Sequence, residues 1–319
     1  MHKIFVRSLA AMILSSSFTA HAAPSARHAQ PAASQHSATA LTAEVIERAS
    51  ASKVTVTKDG VERIAWSRND VPVQIEGVPY PAAAGLGSWA SFKQGRQGMM
   101  MMGDTLVFQD EVDAAMDAAF ASGLEVTALH NHFFYDEPKV YFLHISGHGT
   151  PEKLAAGVKS VWDAIKSVRS VRATPDNHFP GSNMTMGQID TKNIERITGL
   201  KATAPSESVV KVSLGRNAAM HGMSFGESMG LNTWAAFVGS SDAAAVDGDF
   251  AMTADEIQPV LKTLRAHGLH IVALHNHMVG ESPKIFFTHY WGKGSAQALA
   301  EAFKAALNAQ REVEKGHGG

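Results

Sequence analysis

Apolar residues along this chain follow two periods. Val112, Ala115, Met116 and Ala119 recur at helical spacing, and Gly123 stands where such a helix stops, so a helix is predicted over 110–122. A second is predicted over 253–267, with Thr253 as N-cap, Glu256 three residues on and Gly268 as the stop. Segments 124–130 and 269–275 are short, apolar and rich in β-branched residues, and read as buried strands. Segments 139–146 and 284–291 read as the strands that follow them, and 88–93 and 100–108 as strands ahead of the first helix. Closing helices are predicted over 151–168 and 295–310, and short opening helices over 45–48 and 194–197.

The order of these elements repeats because the sequence does. Ala128-Leu129-His130-Asn131-His132 returns as Ala273-Leu274-His275-Asn276-His277, an offset of 145 residues. At that offset Pro138-Lys139 meets Pro283-Lys284, His144 meets His289, Trp89 and Phe92 meet Trp234 and Phe237, Gly103-Asp104 meets Gly248-Asp249, and Asp110-Glu111 meets Asp255-Glu256. Between Ala128 and His144, 9 of 17 positions are identical; unrelated segments share about one. The chain is a tandem duplication, with repeat one over 41–171, a linker over 172–189, repeat two over 190–312 and a tail over 313–319. Each repeat is expected to be an α+β sandwich unit of ferredoxin-like type, a sheet with its helices on one face.

The start of the chain reads differently. Lys3 and Arg7 precede the apolar run Leu9-Ala10-Ala11-Met12-Ile13-Leu14, and Ala20-His21-Ala22 has the A-x-A pattern of a cleavage site. Residues 1–22 are therefore expected to be a secretory signal peptide, and 23–40 a flexible linker. That implies an exported, periplasmic protein without a membrane span.

Composition narrows the chemistry. With 28 Lys+Arg against 30 Asp+Glu the chain lacks the basic excess of a nucleic-acid binder. The absence of Cys excludes disulfides, thiolate metal sites and cysteine nucleophiles. Histidine is prominent, at 16 residues. Six of the fourteen that lie beyond Ala22 occupy three duplicated positions: His130, His132 and His144, then His275, His277 and His289. In each His-x-His pair the imidazoles project from one sheet face if the strand continues through them. With a carboxylate from the following turn, Asp136 or Glu137 in repeat one and Glu281 in repeat two, this set suits Zn²⁺, Mn²⁺, Fe²⁺ or Cu²⁺. The expected metal ligands are His130, His132, Asp136 and His144, and His275, His277, Glu281 and His289. Whether His144 and His289 face the same side depends on hairpin register. The alternative use of the same residues is a buried hydrogen-bonded His network, or His as general acid/base without metal.

Other features are weighed against simpler roles. Asp104 and Asp249 are read as holding a ligand His by its far ring nitrogen, or as turn residues. Trp89, Trp234, Phe92 and Phe237 are read as core. Met99 to Met102, and Met220 with Met223, raise Cu(I), but gap-filling is the favoured role. The H-x-H…E pattern also occurs in cupins, whose nearly all-β fold the predicted helices oppose.

The doubled A-L-H-N-H…(D/E)-x-P-K…F-x-H…G-x-G blocks, with G-L-x-x-W-A-x-F and G-D…D-E upstream, resemble the LppY/LpqO family of bacterial exported proteins, whose function is unknown. The resemblance spans nearly all of 41–312. It implies export and supplies no reaction; this chain departs from the name-giving lipoproteins in having no lipobox Cys.

Three functions compete. The first is a periplasmic protein that sequesters or delivers a divalent metal, zinc foremost. The second is a metal-dependent hydrolase with Glu137 or Glu281 as base and Lys139 or Lys284 stabilising an oxyanion. The third is an envelope partner-binding module with structural histidines. A pocket beside the cluster favours the enzyme, and a closed ligand shell favours binding.

Overall fold

The computed structural model describes residues 32–316, with side chains from 41 onward; the expected signal peptide lies outside the described residues. Repeat one runs α1 (Ala32–Ser50), β1 (Thr55–Val56), β2 (Glu62–Ser67), β3 (Val73–Ile75), β4 (Val78–Tyr80), β5 (Gly87–Gly95), β6 (Gly98–Phe108), α2 (Val112–Ala121), β7 (Glu125–His130), β8 (Asp136–Glu137), β9 (Val140–Gly149) and α3 (Pro151–Val171). Repeat two runs α4 (Thr191–Thr198), β10 (Ala202–Ser206), β11 (Val209–Gly215), β12 (Ala218–Met220), β13 (Met223–Phe225), β14 (Asn232–Gly239), β15 (Ala244–Met252), α5 (Ala254–Ala266), β16 (His270–His275), β17 (Phe286–Gly294) and α6 (Ala296–Gly316).

Local chemistry accounts for the helix boundaries. Thr150 caps α3 by accepting from the Lys153 N–H, with Pro151 at the first helical position. Thr253 and Glu256 form the expected capping box at α5. The expected linker over 23–40 gives way at Ala32, where α1 begins; its Ala-rich run favours helix. The closing helix of repeat two continues through 311–316, which shortens the expected tail.

Twelve strands form one antiparallel sheet in the order β1-β2-β5-β6-β9-β7-β16-β17-β15-β14-β11-β10. The repeats join at its centre, where Leu129 of β7 pairs with Leu274 of β16. These two leucines are themselves duplicates, so a pseudo-twofold axis passes between them. The helices cover one face. Val126, Leu129, Leu143 and Ile145 pack with Val112, Met116, Val158 and Trp162 in a core that runs on into repeat two. The other face carries two small satellites. The sheet β4-β3-β8 covers Leu106, Phe108, Val140 and Phe142, and the hairpin β12-β13 lies by Leu231, Ala251 and Phe287.

Strands β1 to β4 and β10 to β13 escape the sequence reading because the repeats drift out of register there. Arg68-Asn69 corresponds to Arg216-Asn217, an offset of 148, and Asp70-Val71-Pro72 has no counterpart. The equivalence rests on contacts. Arg68 and Arg216 donate from their backbone N–H to Leu86 and Leu231, and their guanidinium groups grip Glu111 and Glu256. Arg68 is 1% exposed and Glu111 fully buried.

Alternation along the strands corrects two further expectations. Phe92 and Phe237 are core, but Trp89 and Trp234 are half-buried on the face without helices, and the Arg63 guanidinium lies 4.3 Å above the Trp89 ring. The methionine run is part of β6: Met99 and Met101 point into the core while Met100 and Met102 are exposed on the opposite face, so the four thioethers never converge. The cupin alternative fails on the six α-helices among the described residues.

Candidate metal centre

The helix-free face of the central strands is where the duplicated histidines meet. A bulge makes this possible. The pairing of β7 with β9 shifts register between Val126 and Ala128, and that of β16 with β17 between Ile271 and Ala273. One extra residue flips the side of every residue beyond it. Val126 and Leu129 both stay in the core, while Ala128 and His130 face the opposite way, as do Ala273 and His275. His144 pairs with Ala128 on one side and Asp104 on the other; His289 pairs with Ala273 and Asp249. The register is thus the favourable one for both third histidines.

In repeat two the Nε2 atoms of His275 and His277 are 3.1 Å apart, and His277 Nε2 is 3.8 Å from Asp249 Oδ2. One ligand atom from each of Asp249, His275 and His277 lies within 4.8 Å of the other two. The His289 ring stacks 5.0 Å from that of His275, its Nδ1 near the Gly248 carbonyl oxygen. His277, past the end of β16, is set by stacking on Phe287 at 3.5 Å. Repeat one pairs different rings: His130 Nε2 is 3.0 Å from His144 Nε2, and His144 Nε2 is 3.9 Å from Asp104 Oδ1. His132 stacks on Phe142 at 3.4 Å, as its counterpart does on Phe287.

Two nitrogens at such a separation either share one proton or flank a cation. Burial favours the neutral form of four of the rings: it lowers His275 to about 4 and also draws down His132, His144 and His277. The acids move the other way. Asp249 is 2% exposed, and desolvation raises it to about 6 against the pull of His289. Desolvation raises Asp104 as well. Asp104 Oδ1, Asp249 Oδ1 and His275 Nδ1 are buried without a hydrogen-bond partner. Each neutral imidazole keeps one acceptor nitrogen besides its N–H, and beside the unpartnered carboxylate oxygens these nitrogens make a donor set of the kind that divalent metals take.

The acids expected from the turn do other work. Asp136 Oδ2 accepts the Val140 N–H at 2.6 Å, and its Oδ1 pairs with Lys139 at 3.1 Å. Glu281 Oε1 accepts the Ile285 N–H at 3.0 Å, which lowers its pKa. Glu137 sits in β8, paired with Gln74. All three shape the loop between the His-x-His pair and the next strand, which also holds the cis bonds Glu137–Pro138 and Ser282–Pro283. In Asp136 and Glu281 one carboxylate oxygen takes the backbone N–H across the turn, while Glu281 Oε2 is buried without a partner. Lys139 is likewise tied to Asp136 and the Phe134 carbonyl, and Lys284 lies over the Phe286 ring.

A family profile matches residues 44–164 and again residues 192–309. The chain belongs to that family, the Domain of Unknown Function (DUF1259). The two matches coincide with the two halves of the sheet. No curated protein matches the sequence. Among solved structures the chain is similar to the trimeric bacterial microcompartment shell protein PduB, at 10% identity and TM-score 0.21 over 83% of this chain and 94% of that one. It is also similar to EtuB from Clostridium kluyveri, at 9% identity and TM-score 0.20, covering 83% and 93% of the two chains.

Two residues of this DUF1259 chain carry more of the site than the sequence reading gave them. Asp104 and Asp249 stand beside the imidazoles as ligand candidates, not behind them. Their signal was the repeated Gly-Asp at the 145 offset, on the strand next to the third histidine. A cavity of about 430 Å³ lies elsewhere, lined by Asp110, Asp113, Tyr141, Arg172, Phe179 and Val272 among others, and by none of the six histidines.

Proposed function

We propose that this chain binds a divalent transition metal through its duplicated histidine clusters and serves to sequester or deliver it. The observation that carries the reading is the convergence of Asp249, His275 and His277 within 4.8 Å, with buried acceptor atoms left unpaired. Zinc fits two imidazoles and a carboxylate best, with His289 or water completing a tetrahedron. Manganese, iron and copper share the ligand chemistry. A metal-dependent hydrolase is the second reading, favoured by the half-exposed His277, since a three-ligand set leaves one position open to water. Against it, Glu281, one of the acids it needs as base, already accepts the Ile285 N–H within the loop. Element-resolved mass spectrometry of purified protein tests the proposal: one or more equivalents of a transition metal supports it, and metal-free protein that takes up none on dialysis against Zn²⁺ returns the cluster to a structural network.

The leader-like segment 1–22 and the LppY/LpqO resemblance support an exported protein, and periplasmic delivery or storage follows from that. No helix among the described residues is long and apolar enough to cross a membrane. The strand order β5-β6-β9-β7, with helices after the second and last strand in the chain, also supports the ferredoxin-like reading. It is what a βαββαβ unit becomes when its final strand is moved to the front.

A further inference from the structure

The two clusters lie closer than two independent domains would place them. Leu129 and Leu274 pair directly across the repeat junction. Continuing that antiparallel register by one residue sets Ala128 opposite His275 on one side and His130 opposite Ala273 on the other. Two rows then cross the helix-free face. One reads Asp104, His144, Ala128, His275; the other, in twofold relation, reads His130, Ala273, His289, Asp249. Each row takes ligands from both repeats, and His130 and His275 become diagonal neighbours, a relation of roughly 7–8 Å between strands. The residues between them are the two alanines, the smallest side chain with a Cβ, so the floor between the clusters is low. The satellite sheets lie over Phe142 and by Phe287, on the flanks, and Ala128 and Ala273 at the seam keep partial exposure.

We propose that the clusters are halves of one composite site astride the pseudo-twofold axis, which holds two divalent transition-metal ions side by side over the Ala128–Ala273 floor. The proposal rests on the metal-binding reading above and adds to it that the ions are neighbours. Duplication then has a function: one repeat supplies half a site, and fusion of the two sheets through β7 and β16 fixes the distance between halves. Isolated repeats in separate domains would bind the same number of ions without that spacing.

Copper is the probe, because two Cu²⁺ ions less than about 10 Å apart couple magnetically. Untagged full-length protein is loaded with two equivalents of Cu²⁺, and its electron paramagnetic resonance spectrum is recorded with particular attention to the half-field transition. The expected result is two ions bound, a half-field signal, and loss of that signal with about one equivalent retained in His277→Ala. His130→Ala, in the other repeat, is expected to do the same, and serves if the first variant folds poorly by circular dichroism. Two bound ions with isolated-ion spectra would overturn the composite site and leave metal binding intact. Failure to bind copper, zinc or manganese at all would remove both.

Discussion

The Asp249 carboxylate stands 3.8 Å from the His277 ring nitrogen with its other oxygen buried and without a partner. An ionised carboxylate in that position is costly without a cation, and this defines what its removal does. Asp249→Asn is expected to raise the stability of metal-free protein at neutral pH by on the order of 2 kcal/mol, since the acid's folded pKa is about 6 against 3.8 unfolded. The same change is expected to abolish the gain in melting temperature that Zn²⁺ confers on repeat two. Calorimetric scans with and without Zn²⁺ check both signs together; a variant still stabilised by zinc as strongly as wild type would dismiss Asp249 as a ligand.

Metal uptake has a predicted pH dependence. Binding requires ionised Asp249 and neutral imidazoles. As pH falls the carboxylate protonates first, near 6, whereas His275 stays neutral down to about 4. Affinity is therefore expected to fall through pH 6, below the ordinary histidine range near 6.5. Zinc titrations between pH 5 and 8 locate the midpoint; repeat-two binding that keeps its full affinity well below pH 6 would exclude Asp249 as the group that sets it.

His277→Ala is expected to lower metal content by about one equivalent. His267→Ala is expected to leave it unchanged, because His267 is exposed at the end of α5 and bonded to the Thr263 carbonyl oxygen. Equal stoichiometry in the two variants, measured by titration calorimetry, would exclude repeat two as a metal site.

Glu281 separates loop from ligand. Its Oε1 accepts the buried Ile285 N–H, which glutamine can still satisfy and alanine cannot. Glu281→Gln is expected to keep full metal stoichiometry, and Glu281→Ala to lose about 1–3 kcal/mol of stability. If the Gln variant loses a metal equivalent, Glu281 is a ligand after all.

The buried Arg68–Glu111 pair fixes the end of β2 to the junction of β6 and α2, and Arg169 adds a second cation to Glu111. Without the Glu111 charge Arg68 keeps its bidentate contact with Asp70, and Arg169 keeps Asp110. Glu111→Gln is therefore expected to destabilise by about 1–3 kcal/mol in chemical denaturation, the loss of charge-assisted hydrogen bonds rather than of a stranded charge. Metal stoichiometry in the folded variant is expected to stay at the wild-type level.

The sequence by itself determined the duplication, the helices from their 3.6-residue period and caps, the central strands, and all six histidines. These are local or repeated signals: a capping box is complete within four residues, and a doubled His-x-His needs no partner to be seen. It also singled out the recurring Asp104 and Asp249, though not their place among the ligands. The tertiary structure decided what depends on register and competition. Bulges at 127 and 272 turn the imidazoles onto one face, and no composition announces a bulge. Backbone N–H groups of Val140 and Ile285 claim Asp136 and Glu281, because a turn brings its own amides closer than a neighbouring strand brings a metal. Pairing of Leu129 with Leu274 then merges two repeats into one sheet, a long-range contact that the repeat spacing permits but does not specify, since it depends on the burial of both leucines and on cross-repeat partners such as Gln258 on the Val126 backbone and Arg265 on Asp113 and Asp117.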